Sequence, residues 1–311
     1  MKYRMFWMNK FRGVSGPSLL YVMGLVAFIF ITSCEDVVDI ETADAPSQLV
    51  VDAWLTDEDK PQTIRLTRSQ PYFNSEFAQA MEGATVEVLR NNNTTIIFAD
   101  QGAGNYTWTP TEEERIGNIG DRYILQISTA DIPIISAEAT MNPSPKIDSI
   151  KVIFRENDLR GPDGLYAEFF ARDLPGFGNT YWIKAFKNYE YLNKPDEINL
   201  AYDAGFDAGA EIDNLIFIPP IREQVNPVPD SADADLPPFV EGDLLRVEIH
   251  SLTLEAFEFM STVRDEILNG TNTIFATPIA NAQGNIQSTS GEKILGVFNV
   301  ANVTRLDKRI E

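Results

Sequence analysis

Between Gln48 and Met141 the chain is divided into short runs in which apolar and polar side chains alternate. Thr63-Ile64-Arg65-Leu66-Thr67 shows the pattern most cleanly. A period of two places every apolar side chain on one face of an extended chain, so such a run is a half-buried strand and not a helix. Further runs of this kind are Gln48–Leu55, Ala84–Arg90, Thr94–Ala99, Asn105–Thr109, Arg122–Ser128 and Ile134–Met141. Turn-forming clusters stand between them: Asn91-Asn92-Asn93, Gly102-Ala103-Gly104 and Gly117-Asn118-Ile119-Gly120.

Short strands joined by turns predict a mainly β fold, and for residues 47–142 an antiparallel β-sandwich of the immunoglobulin or fibronectin kind. The Cys…Trp…Cys core of antibody domains is absent. Asn142-Pro143-Ser144-Pro145 is the predicted boundary, since two prolines stop ladder pairing. Residues 143–311 are expected to form a second β-rich domain, with strands at Ile147–Arg155, Tyr166–Arg172, Tyr181–Tyr189, Leu215–Ile218, Leu244–Ser251 and Ile294–Val300. One helix is expected near 254–269. Thr253 caps it, Glu255 complements its N-terminal dipole and Asn269-Gly270 ends it. Phe259, Val263 and Ile267 recur every four residues and should face the sheet, flanked by Phe257, Met260 and Leu268.

Composition narrows the function. The 311 residues include 25 Lys+Arg against 46 Asp+Glu, a formal net charge of -21. That excludes a nucleic-acid partner, which needs a basic face. A single Cys excludes a disulfide framework, and a single His excludes any site needing two imidazoles. No cofactor is expected.

The first 33 residues look like an address. Lys2, Arg4, Lys10 and Arg12 form a basic head, an apolar run follows from Leu19 to Ile31, and Thr32-Ser33 precede Cys34. This is the layout of a secretory signal peptide, and the run is shorter than the roughly 20 residues a membrane helix needs. Ile31-Thr32-Ser33-Cys34 resembles a bacterial lipobox, so cleavage before Cys34 and lipid on its sulfur are expected. Glu35 and Asp36 resemble the export signal that sends lipoproteins of the Bacteroidota to the cell surface. Residues 34–46 would then be an acidic tether ending at Pro46.

Groups that could carry chemistry are few. His250 lies in an alternating run, with no Gly-x-Ser-x-Gly elbow in the chain, and reads as a strand-edge histidine with a local hydrogen bond. Calcium takes oxygen ligands, which makes Asp203, Asp207, Asp230 and Asp233 weak candidates, with Glu211, Asp213 and Asp235 nearby. They do not follow EF-hand spacing, and solvated acidic loops that keep a secreted protein soluble are the better explanation. Trp108, Tyr189 and Tyr191 could stack on a sugar face, whereas Trp182 sits in a strand and is expected in the core. Asp148-Ser149-Ile150 and Asp230-Ser231-Ala232 resemble the O-glycosylation motif of exported Bacteroidota proteins.

Several segments, in order, resemble a family of Bacteroidota outer-membrane lipoproteins, domain of unknown function 4249. They are Leu49-Val50-Val51-Asp52-Ala53-Trp54-Leu55-Thr56, Leu66–Phe73 with its Ser69-Gln70-Pro71-Tyr72-Phe73, Gly83-Ala84-Thr85-Val86 and Gly120-Asp121-Arg122-Tyr123-Ile124-Leu125. Pro145–Ile150, Phe275-Ala276-Thr277-Pro278, Gly284-Asn285-Ile286 and Gly296-Val297-Phe298 follow. The resemblance implies a two-part, mainly β lipoprotein associated with TonB-dependent barrels. It carries over no catalytic or binding residue, and the shared segments are expected to be strand cores and turns.

The expected function is thus a non-enzymatic lipoprotein, anchored in the outer membrane through lipid on Cys34 and facing the cell surface. It would serve a TonB-dependent barrel in capture, as a lid or in assembly. The alternatives are a stand-alone surface glycan- or peptide-binding lipoprotein and a carboxylate-based hydrolase.

Overall fold

The computed structural model describes residues 46–311, except 72, 73, 75, 131, 133, 159, 160, 209–211, 231–234 and 273–281, and without the side chains of 269–272. The signal peptide, Cys34, Glu35, Asp36 and nearly all of the tether therefore lie outside the described residues. Residues 46–311 form one compact unit. Among the described residues no helix is long and apolar enough to cross a membrane.

All seven expected strands of the first region are present: β1 (Leu49–Thr56), β2 (Gln62–Arg68), β3 (Thr85–Arg90), β4 (Thr94–Asp100), β5 (Asn105–Trp108), β6 (Arg122–Ser128) and β7 (Ile135–Thr140). Asn91 and Asn92 adopt the left-handed conformation, at φ 50 and 60, that a tight hairpin between β3 and β4 requires. The strands do not divide into the two sheets of an immunoglobulin-like sandwich. They join two later strands, β14 (Gln287–Ser288) and β15 (Leu295–Ala301), in one sheet ordered β14-β7-β6-β3-β4-β5-β2-β1-β15. The sheet curls into a half-barrel around a single apolar core, with Val51, Leu66, Val88, Tyr106, Leu125 and Phe298 among its buried residues. Alternation specifies which face of a strand turns inward, and that is the same in a sandwich and in a curl.

The curl is held at its seam by one side chain. Asn285 donates to the carbonyls of Glu138 on β7 (3.0 Å) and Phe298 on β15 (2.8 Å), and accepts the Phe298 N–H (2.9 Å). The seam is tight: a Cβ on Gly284 would lie 1.7 Å from the carbonyl oxygen of Gly296. Gly296 itself has φ +100, and a Cβ there would lie 1.8 Å from the Val51 carbonyl oxygen. Only glycine meets both demands.

The second region contains β8 (Ile147–Arg155) paired with β9 (Gly164–Ala171), and a five-stranded sheet. That sheet runs β11-β10-β13-β16, with β12 beside β10. Its strands are β10 (Thr180–Lys187), β11 (Glu190–Tyr191), β12 (Asn199–Tyr202), β13 (Leu244–Leu252) and β16 (Val303–Arg309). A short helix, α1, covers Pro219–Glu223. The expected strand at Leu215–Ile218 is absent. Ile216 makes one bridge to Arg172, and Phe217 is buried by an irregular segment. The predicted boundary at 142/143 carries the chain out of the first sheet without closing it, because β15 returns to pair in parallel with β1, from Val50↔Leu295 to Thr56↔Ala301. Asn302 alone separates β15 from β16, so the chain steps directly from one sheet to the other.

The long helix α2 covers Leu254–Asn272. Thr253 caps it, accepting the Ala256 N–H through Oγ1 at 3.3 Å. Its buried face keeps the N-terminal part of the expected one. Met260 and the unexpected Ala256 are buried, Phe257 and Phe259 pack half-buried against them, Phe257 edge-on to Tyr202 at 5.7 Å, and Ile267 is 42% exposed. The first two turns of α2 thus cover the place where Trp54 and Val297 of the half-barrel meet Trp182, Leu200 and Leu252 of the second sheet.

Candidate functional sites

Among the clefts on this scaffold, two bring cations and aromatic or proline side chains together. The first, of about 750 Å³, lies in the second region and has proline walls: Pro162, Pro227, Pro229, Pro237 and Pro238. Proline fixes its own φ and has no N–H to satisfy, so such walls are rigid and preformed. Side chains tie the loops down. Asn226 both accepts the N–H of Ala167 (2.8 Å) and donates to its carbonyl (2.9 Å), occupying the edge of β9 as a neighbouring strand would. Buried Glu197 accepts the N–H groups of Lys194 (2.7 Å) and Val228 (2.8 Å).

Three cations line this cleft in a strongly acidic chain. Arg155 pairs with Glu223 at 2.9 Å and stands 4.5 Å from the Tyr166 ring centre. Lys187 donates to the Pro238 carbonyl at 2.9 Å and pairs with Asp243 at 3.2 Å. Lys194 pairs with Asp230 at 2.9 Å. Leu236, 59% exposed, lies on the rim, and Phe154, 66% exposed, precedes Arg155 on β8. Size, preformed walls and a few convergent polar groups are what a ligand site requires.

The second cleft, of about 250 Å³, lies between the outer face of the half-barrel and the five-stranded sheet. Trp54, Thr56 and Gln62 form one wall, and Trp182, Lys184 and His250 the other. Strand register builds the second wall: Trp182 pairs with His250 and Lys184 with Glu248 across β10 and β13. The two indoles meet edge-on at 5.2 Å. The His250 Nε2 lies 3.0 Å from Glu248 Oε2.

Burial drives the His250 pKa down to about 4, aided by the Lys184 charge and opposed by Glu248, so the imidazole is neutral at pH 7. Burial would raise the Glu248 carboxyl, but the hydrogen bond with His250 and the Lys60 and Lys184 charges outweigh it and leave it lowered. Burial brings Lys184 down to about 8, against the carboxylates of Glu248, Glu58 and Asp52. Its ammonium stands 3.8 Å from the Trp182 ring centre and 5.8 Å from that of Tyr191.

The expected site residues do not come together. Trp108 is half-buried in the half-barrel, 6.3 Å from Phe98, while Tyr191 belongs to the second sheet and Tyr189 to the turn between β10 and β11. Tyr189 is 74% exposed, and Tyr191 packs on Phe186 at 5.1 Å. They form no shared stacking platform. Asp203 is buried and accepts the N–H groups of Gly178 (2.8 Å) and Asn179 (2.9 Å), so its carboxylate holds a loop. Asp213 does the same for Gly176. Asp207 is exposed, Asp230 is paired to Lys194, and Asp233 and Glu211 lie outside the described residues. Among the described residues no three His, Cys, Asp or Glu side chains are placed to hold a metal ion. His250 does have the expected local hydrogen bond, but β13 is an inner strand of its sheet and not an edge.

Sequence reasoning missed Lys184. The signal was available: Trp182 and Lys184, like Glu248 and His250, sit two apart on one face of otherwise apolar strands. Only the pairing of β10 with β13 brings the four together.

Residues 35–307 match the family described as Domain of unknown function (DUF4249). The chain belongs to that family. No curated protein matches it. The shared segments have structural duties. Gly284-Asn285 and Gly296 close the half-barrel seam, Asp121 accepts the Asn118 N–H (2.9 Å), and the Tyr123 hydroxyl donates to the Ile116 carbonyl (2.7 Å). Tyr72, Phe73 and Phe275-Ala276-Thr277-Pro278 lie outside the described residues.

Proposed function

We propose that this protein is a non-enzymatic binding lipoprotein of the outer membrane. It is held by lipid on Cys34, faces the cell surface, and works beside a TonB-dependent barrel. The observation that carries the binding role is the proline-walled cleft, whose rigid walls, paired cations and apolar rim suit recognition of a ligand or of an extended partner segment. The basic head, apolar run and Ile31-Thr32-Ser33-Cys34 support the anchor, and Glu35-Asp36 support export.

Catalysis is the weaker reading. A neutral His250 hydrogen-bonded to Glu248 could serve a nucleophile, but the neighbouring hydroxyl of Ser251 already accepts the Asn302 N–H at 3.0 Å. The experiment that tests the proposal is mild-detergent affinity purification of the tagged full chain from outer membranes, with mass spectrometry of its companions. A barrel recovered in equal amount is the expected result. Recovery of the lipoprotein alone overturns the accessory role.

A further inference from the structure

The small cleft between the two sheets holds a group with no evident structural duty. Lys184 extends from an inner strand to the junction of the sheets, yet its ammonium makes no hydrogen bond and no ion pair among the described residues. Its one close neighbour is the face of Trp182. The other charged groups nearby are spoken for. Lys60 pairs with Glu58 at 2.5 Å, Arg305 with Glu58 at 3.2 Å, and Glu248 with His250. A lysine left over a ring in a cleft open to small molecules is poorly placed to stabilise the fold. It is well placed to meet something that enters.

We propose that Lys184 is a carbonyl-capture site, at which a small neutral aldehyde or ketone, up to about the size of a monosaccharide, condenses with the ε-amine to form an imine. The charge of the surroundings selects the ligand class. The carboxylates acting on Lys184, Glu248 from β13, Glu58 from the β1–β2 loop and Asp52 from β1, outnumber the one other cation, Lys60 of the same loop. A neutral carbonyl compound adds no charge to this set. A cleft of about 250 Å³ holds roughly eight water volumes, which sets the size.

In the step, the unprotonated Nζ adds to the carbonyl carbon, the electron pair of the C=O π bond moves to oxygen, and a proton passes from the nitrogen to that oxygen. The hydroxyl takes a second proton from solvent and leaves as water while the restored nitrogen lone pair closes the C=N bond. Amine, carbonyl and one proton give protonated imine and water, with no oxidant or reductant. The protonated imine carries the positive charge that the ammonium carried, so the same carboxylates stabilise the product. Burial that keeps a fraction of the amine unprotonated near neutral pH supports the proposal. It concerns a different cleft from the proline-walled one and depends on neither the anchor nor the barrel.

The test uses the full chain with D-glyceraldehyde and cyanoborohydride, which traps an imine as a secondary amine, followed by peptide mapping. At pH 7.5 the adduct should form on Lys184 about tenfold faster than on exposed lysines, because more of its amine is unprotonated. That advantage should shrink above pH 10. Lys184→Arg should abolish the fast adduct with an unchanged melting temperature. The wild-type map decides the matter even if the variant fails to fold. Labelling of Lys184 no faster than that of exposed lysines, or a midpoint for its reaction near pH 10, overturns the proposal.

Discussion

The half-barrel and the second region bury different kinds of side chain. The half-barrel interior is almost wholly apolar, and its buried polar side chains, Thr56 and Gln62, bond to each other at the mouth of the small cleft. Asn299 stands on the outer face of β15. Among the described residues the buried carboxylates and the buried imidazole all belong to the second region: Asp173, Glu197, Asp203, Asp243, Glu248 and His250. A closed apolar core needs only shape and register. Buried carboxylates must be individually satisfied: here Asp173, Glu197, Asp203 and Asp243 accept loop N–H groups, and Glu248 is bonded to His250. The first region is therefore a frame, and the second holds loops in fixed positions.

The sharpest way to break this division is at the seam. Gly296→Val would force a side chain against the Val51 carbonyl at a backbone angle that valine does not adopt. The expected cost exceeds about 4 kcal/mol, enough to prevent folding. Thermal melting by circular dichroism would show it, and a wild-type melting temperature would mean that the half-barrel does not depend on its closure.

Asn285→Ala and Asp203→Ala set one region against the other. The first removes one hydrogen bond to β7 and two to β15, and about 2–3 kcal/mol of stability is expected to go with them. The second frees the N–H groups of Gly178 and Asn179, with an expected loss of about 1–3 kcal/mol. Hydrogen exchange separates them. Asn285→Ala should raise exchange throughout β15 and β1, whereas Asp203→Ala should raise it only around residues 176–205. Equal spreading from both would erase the distinction between frame and loops.

These sites also show what the sequence could reveal. Alternation in β2 and β6 fixes their inward faces, and the asparagine and glycine clusters fix the hairpins, so the strands of the first region were legible one by one. Their order was not, because nothing local states that β15 will return to pair with β1 across more than two hundred residues. The strand β16, Val-Thr-Arg-Leu-Asp-Lys-Arg, has a single apolar residue after its first and resembles a charged tail until β13 is set beside it. The helix was legible from its cap. Its buried face was legible only in part: Phe257, Phe259 and Met260 do pack at the junction of the sheets, but Ala256 joins them and Ile267, at the far end of the stripe, is 42% exposed. Of the site residues, the aspartates were noticed for their charge and proved to matter for their hydrogen bonds.

A smaller effect distinguishes the regions by pH. The folded state lowers the His250 pKa to about 4 from an unfolded value near 6.5. The unfolded chain therefore takes up a proton first as pH falls, and stability declines between pH 6.5 and 4, by about 3 kcal/mol at most. Glu248, whose pKa is lowered, acts in the same direction but only below its ordinary carboxyl range. Denaturant titrations at pH 7 and pH 5 should show the decline in wild type, and His250→Gln should flatten it. An equal slope in the variant would place the titrating group elsewhere.

The smallest effect on stability is the one that bears most on function. Leu236 is 59% exposed at the rim of the proline-walled cleft, so Leu236→Ser removes little buried area and should change stability by less than about 0.5 kcal/mol. Exchanging Ile97, 63% exposed on the outer face of the half-barrel, for Ser should change it equally little. If the second region makes the contact, only Leu236→Ser will reduce the barrel recovered by affinity purification, because a rim side chain that is free in the monomer loses its water only in the complex. Equal recovery with both variants would move the contact away from the cleft. Loss with Ile97→Ser alone would make the half-barrel the recognition surface and the second region its support.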